Sequence, residues 1–143
     1  ISLGLVVLLP RDKLLFAVDF IPIETVAYRA LPDSYPDDWI ESLKQVEQLE
    51  FDMLVPGHGT IGRKEHVRLF REYLEALRFA VGEQLGNGAS LEDAKQAVRL
   101  ARYERWYGYA DWSQGTWKVC IGTCRRIPHT EASAVTVPLF SCL

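Results

Sequence analysis

The stretch Pro56-Gly57-His58-Gly59, placed directly after the apolar run Phe51-Asp52-Met53-Leu54-Val55, constrains this chain more than any other. The run predicts a short strand of a buried sheet, and Pro-Gly ends it at once. Glycines on both sides of a histidine remove side-chain cover and permit backbone angles closed to other residues. The pattern therefore predicts a tight turn past a strand end that presents an exposed imidazole, as a metal ligand or a catalytic base is presented. A second apolar run, Leu14-Leu15-Phe16-Ala17-Val18, ends on Asp19. If the two strands adjoin in one sheet, a carboxylate and an imidazole meet at the same edge.

Upstream, Leu3–Leu9 and Lys13–Val18 predict two strands joined by the turn Pro10-Arg11-Asp12-Lys13, a β-hairpin. Both runs are apolar on both faces, so both are expected inside a layered sheet. Pro22, Pro32 and Pro36 mark residues 21–38 as a loop, long enough to form one wall of a cleft. Asp37 or Asp38 then caps a helix over Trp39–Leu49, with a core stripe of Trp39, Leu43, Val46 and Leu49. Beyond the histidine turn, Val67, Phe70, Leu74, Leu77 and Val81 step by three and four. They predict a helix over Lys64–Val81, stopped by Gly86-Asn87-Gly88. Ser90-Leu91-Glu92-Asp93 opens a third helix with the stripe Leu91, Ala94, Val98 and Ala101. Tyr103, Trp106, Tyr107, Tyr109 and Trp112 follow as an aromatic cluster, which beside a helix end is more often core or interface than ligand pocket. After Trp112 the composition turns to Ser, Thr, Val and Cys with few acids. Residues 1–112 are thus the expected domain, and 113–143 a poorly packed tail in which Ala134–Val137 is a candidate short strand.

At 143 residues the chain has room for one domain with a sizeable core. A net charge of −3 and the lack of any basic run argue against a nucleic-acid surface. No apolar run approaches the ~20 residues that span a bilayer. The chain opens on Ile1 rather than Met, in what reads as a core strand, so a piece of a longer protein is expected. Cys120, Cys124 and Cys142 are odd in number, cannot all pair within the chain, and leave its compartment open.

Each candidate residue has a plain structural alternative. A lone histidine is more often structural, and Asp19 alone could cap the loop that follows it. Together they are more specific, because carboxylate and imidazole are both ligands of Zn²⁺. Two ligands still fall short of the about three that a catalytic zinc takes from its protein. His66 stands among Lys64, Glu65 and Arg68 and reads as part of a solvated helix face. Cys120, Cys124 and His129 have a spacing outside the familiar zinc patterns. No nucleophile elbow, phosphate loop or dinucleotide fingerprint occurs, and Gly86-Asn87-Gly88 follows a helix rather than a strand.

The order of elements resembles the C-terminal half of a metallo-β-lactamase-fold hydrolase, over roughly Leu3–Tyr109. The resemblance rests on Leu5–Pro10 followed by Lys13–Asp19, and on Asp52-Met53-Leu54-Val55-Pro56-Gly57-His58-Gly59. It implies an α/β fold, half of an αββα sandwich with a mixed sheet packed by helices. It implies two Zn²⁺ ions in the complete parent, with Asp19 as the carboxylate bridging them and His58 bound to the second. A hydroxide between the metals would attack a small-molecule substrate with an ester, thioester or lactam bond. The departures matter equally. The family's early H-x-H-x-D-H motif and its middle histidine are absent, and Val18 replaces a glycine or other small residue. The expectation is therefore a zinc-dependent hydrolase present as a fragment, inactive alone, with partial or no metal binding and the missing N-terminal half as its partner. The alternative is a non-catalytic half-domain that only packs against another chain.

Overall fold

The hairpin and the histidine strand build one mixed sheet. In the computed structural model, which describes residues 5–27, 36–111 and 140–141, β1 (Val7–Leu9) pairs antiparallel with β2 (Leu14–Val18), Leu8 standing opposite Leu15. The turn between them closes with the Asp12 N–H on the Leu9 carbonyl at 3.2 Å and the Lys13 N–H on the Pro10 carbonyl at 3.3 Å. β1 is shorter than the predicted strand: Leu5 and Val6 stand outside the ladder, and Leu3 lies outside the described residues. β3 (Met53–Pro56) lies parallel to β2 on its other side. The N–H groups of Asp52 and Met53 both donate to the Lys13 carbonyl, which sets the two strands level at their starts.

The sheet order is β3-β2-β1-β4, where β4 (Phe140–Ser141) runs parallel to β1. Nothing in the tail's pattern predicted this short strand. Most of the tail lies outside the described residues, including Ala134–Val137, the cysteines and His129.

Helix α1 spans Pro36–Glu47, beginning earlier and ending earlier than predicted. Proline fits the start of a helix because its missing N–H would have no partner there. Asp37 and Asp38 sit within the first turn, where carboxylates favour the helix dipole, rather than before it. The buried stripe is Ile40, Leu43 and Val46, with Trp39 and Leu49 half-buried beside it. Helix α2 runs from Lys64 to Gly86, past the predicted end at Val81. All five predicted stripe residues are buried, and Tyr73 joins them. Asn87 and Gly88 stop the helix, with Gly88 at φ 82° and its N–H on the Leu85 carbonyl.

Helix α3 (Leu91–Ala97) starts at a capping box: Ser90 Oγ accepts from the Asp93 N–H at 3.1 Å, and the Asp93 carboxylate accepts from the Ser90 N–H. Ala94 and Val98 are buried, but Ala101 is exposed. The helix ends at Ala97 and Val98 is extended, so Ala101 leaves the predicted stripe and begins a 3-10 turn, Ala101–Tyr103.

One core joins the helices to one face of the sheet. Leu15, Ala17 and Leu54 from the strands belong to the same buried cluster as Ile40, Leu43, Val67, Phe70 and Leu77. A row of aromatic rings crosses it: Phe20, Trp39, Phe70, Tyr73, then Tyr103 and Trp106, with neighbouring centroids 4.8–6.0 Å apart. Of the predicted aromatic cluster, Tyr103 is buried, Trp106 and Tyr109 pack half-buried against the core, Tyr107 is exposed, and Trp112 lies outside the described residues. The other face of the sheet corrects the expectation that both faces are covered. Phe16, Val18 and Met53 are 39%, 38% and 43% exposed. The result is a mixed α/β layer with helices on one side; among the described residues there is no second sheet to complete a sandwich. Nor, among them, is any helix long and apolar enough to cross a membrane.

Candidate functional site

Parallel pairing decides where the site lies. Because β2 and β3 run the same way and are neighbours, their C-terminal ends reach the same sheet edge. Phe16 pairs with Val55, but Val18 pairs with Pro56, so β2 carries one extra residue just before Asp19. Such a bulge bends a strand and re-aims the next side chain. The chain then turns sharply over Ala17–Phe20, with the Phe20 N–H on the Ala17 carbonyl at 2.9 Å.

The histidine turn is tied to this one through its backbone. The Gly57 N–H donates to the Val18 carbonyl at 2.7 Å. A Cβ on Gly57 would stand 3.0 Å from Asp19 Oδ1 and 3.2 Å from the Val18 carbonyl carbon, so the two turns pack tightly at a residue without one. Gly59 has φ 92°, which turns the chain back. Leu54 and Gly62 exchange backbone hydrogen bonds at 2.9 and 2.8 Å and close the loop at its base. Gly62 lies close under Ile23: a Cβ there would meet Ile23 Cδ1 at 2.4 Å, and that side chain would have to move aside. His58 is thereby held near the tip of a closed loop.

The outcome is a pair: His58 Nε2 stands 3.4 Å from Asp19 Oδ1, with the side chains 90% and 72% exposed. The two residues singled out by sequence, 39 positions apart in it, are brought together. His66 is not part of the group. Its Nδ1 accepts the Arg63 N–H at 2.9 Å, so the ring caps the start of α2. That role was missed in favour of a solvated face; the signal was its place three residues after a helix start, where a capping side chain reaches back.

Sequence reasoning also missed Trp39 as a support for the site. Its indole N–H donates to the Phe20 carbonyl at 3.0 Å, one residue beyond Asp19. The loop after Asp19 is held at two further points, by the Val26 N–H on the Tyr107 carbonyl and the Tyr107 N–H on the Glu24 carbonyl. Ile21, Val26 and Ala27 are buried in the core, so this part of the expected cleft wall is a structural strap. Residues 28–35 lie outside the described residues.

Carboxylate and imidazole are the right donor types for zinc, and their exposure leaves room for more ligands. Among the described residues, however, no group of three or more His, Cys, Asp or Glu is arranged to hold a metal. Zinc sites take about four ligands, three or more from protein. Asp19 and His58 do not by themselves make such a site, and no chemical step through a metal follows from them alone.

No family model and no curated protein matches the chain. Among solved structures, a crystal structure of VMB-1 in Bis-Tris at pH 5.5 is similar, with a TM-score of 0.44 and 25% identity. The match covers 50% of this chain and 34% of that one.

Proposed function

We propose that this chain is the C-terminal part of a zinc-dependent hydrolase of the metallo-β-lactamase superfamily, in which Asp19 and His58 are two of the metal ligands. The observation that carries the proposal is their meeting at 3.4 Å where two parallel neighbouring strands end. Two features support it. Among the described residues the donor set is short by at least one ligand, and the same sheet leaves an apolar face open beside it. A second α/β layer carrying further histidines would answer both needs at once. The substrate would be a small molecule with an ester, thioester or lactam bond, as the sequence resemblance implies. Zinc, when bound, would supply hydroxide at neutral pH and polarise the scissile bond; this chain's own residues would fix where the metals sit.

The test is metal analysis of the chain alone and together with an N-terminal half of such a hydrolase. The chain alone is expected to hold no tight stoichiometric zinc. Zinc uptake and ester hydrolysis on adding the other half in trans, both lost in Asp19→Ala and His58→Ala, would bear the proposal out. Tight stoichiometric zinc on the isolated chain, lost in the same variants, would overturn the incomplete site.

The open apolar face also favours a second reading, a non-catalytic half-domain that acts only by packing. A stable dimer with no response to metal would support that reading over the first.

A further inference from the structure

We propose that Val18 is a positioning residue: its left-handed backbone turns the Asp19 carboxylate toward His58. Val18 has φ 45°. A β-branched side chain enters that region only under strain, whereas glycine enters it freely. Val18 is the first central residue of the Ala17–Phe20 turn, which is closed by the Phe20 N–H on the Ala17 carbonyl at 2.9 Å. Positive φ at that position but not at Asp19, the second central residue, is the mark of a type II′ turn, where glycine ordinarily stands at the first.

The neighbours hold the conformation. The Val18 carbonyl accepts the Gly57 N–H at 2.7 Å, and the Phe20 carbonyl accepts the Trp39 indole N–H at 3.0 Å. The backbone on both sides of Asp19 is thus pinned, one anchor coming from the histidine turn and the other from α1. The extra residue between the Phe16–Val55 and Val18–Pro56 pairs delivers the chain to this turn out of step with β3. With extended backbone at Val18, β2 would run on past the edge and Asp19 would follow the strand direction. Val18 is 38% exposed, so its own packing does not explain a strained backbone. Backbone held in a sparsely populated region by its surroundings is typical of functional sites.

The inference rests on the hydrolase reading only for what Asp19 does; the geometry needs no metal. The test therefore uses the metal-free full chain with Val18→Gly, Val18→Asn and Val18→Ala. With Val18 left-handed, urea midpoints rank Gly and Asn above Ala, because glycine and asparagine tolerate positive φ. Glycine ranking lowest, as at an ordinary strand position, would overturn the proposal. Positioning is read by nuclear Overhauser contacts between the Asp19 methylene and His58 ring protons. They are expected in the wild type, Val18→Gly and Val18→Asn. They should vanish in Val18→Pro, locked near φ about −65°, while Trp39–Phe70 contacts persist. Contacts retained in Val18→Pro would also overturn it, and if that variant does not fold, the order of midpoints decides. Neither readout changes if the chain binds no zinc, so failure here is distinct from failure of the hydrolase reading.

Discussion

The indole N–H of Trp39 donates to the carbonyl of Phe20, and the two rings stack with centroids 6.0 Å apart. This contact ties α1 to the turn that carries Asp19. Trp39 also meets Phe70 on α2, centroids 5.2 Å apart, so the aromatic row of the core ends at the site. Trp39→Phe keeps most of the packing and loses the hydrogen bond, which should cost about 1 kcal/mol. Trp39→Ala should cost about 3 kcal/mol or more. Urea unfolding checks both, and equal losses in the two variants would remove the hydrogen bond from the account.

Gly57→Ala places a methyl group 3.0 Å from Asp19 Oδ1 and 3.2 Å from the Val18 carbonyl carbon. Because part of that contact is with backbone, the two turns must give by a few tenths of an ångström. A loss of about 1–3 kcal/mol is expected, as for overpacked sites. The Asp19–His58 distance should lengthen as well, seen as weaker Overhauser contacts between them. Gly59→Ala, at φ 92° with nothing near its Cβ, should cost stability through backbone strain without such crowding.

Arg71 joins α1 to α2. Its Nε donates to Glu47 Oε1 at 2.5 Å, and Nη1 donates to both Glu75 oxygens at 2.9 Å. The hydrogen bond to Glu47, foremost, holds the guanidinium pKa above the ordinary arginine range. Arg71→Met leaves two carboxylates facing each other and should destabilise by about 1–3 kcal/mol. Arg71→Lys should recover only part of that, since an ammonium cannot serve both carboxylates with a planar fork. Adding Glu47→Gln to Arg71→Met should restore stability in part, measured by thermal or urea unfolding.

Burial pushes the Tyr103 phenol pKa above its ordinary value of 10.0. The folded state therefore holds this proton more tightly than the unfolded chain does. The resulting stability is fully present below the unfolded pKa and is lost as pH rises through the folded value. Urea midpoints at about pH 8 and about pH 11 should fall more in the wild type than in Tyr103→Phe. An equal fall in both would place the alkaline sensitivity elsewhere.

Much of the framework was legible in residues with unambiguous local signals. The hairpin is announced by Pro10–Lys13, the α2 stripe by Val67 to Val81, and the α3 start by Ser90 and Asp93. What was hidden depended on contacts distant in sequence. Ile40 lies in the core although Trp39 seemed the better stripe residue, because the indole turns its N–H to the Phe20 carbonyl and stays half-buried beside the core. Ala101 left its stripe because α3 stops at Ala97. Phe16 and Met53 read as interior because apolar strands usually are, yet among the described residues no layer covers their face.

By itself, the sequence determined which side chains end the two strands. Local chemistry suffices for that: apolar runs make strands, and Asp19 and His58 follow where the runs stop. The tertiary structure alone decided that the strands are parallel neighbours, that an extra residue bends β2 at its end, and that the two turns share a hydrogen bond through Gly57. Pairing and register depend on which faces can be buried together, and no local pattern encodes the 3.4 Å between Asp19 and His58.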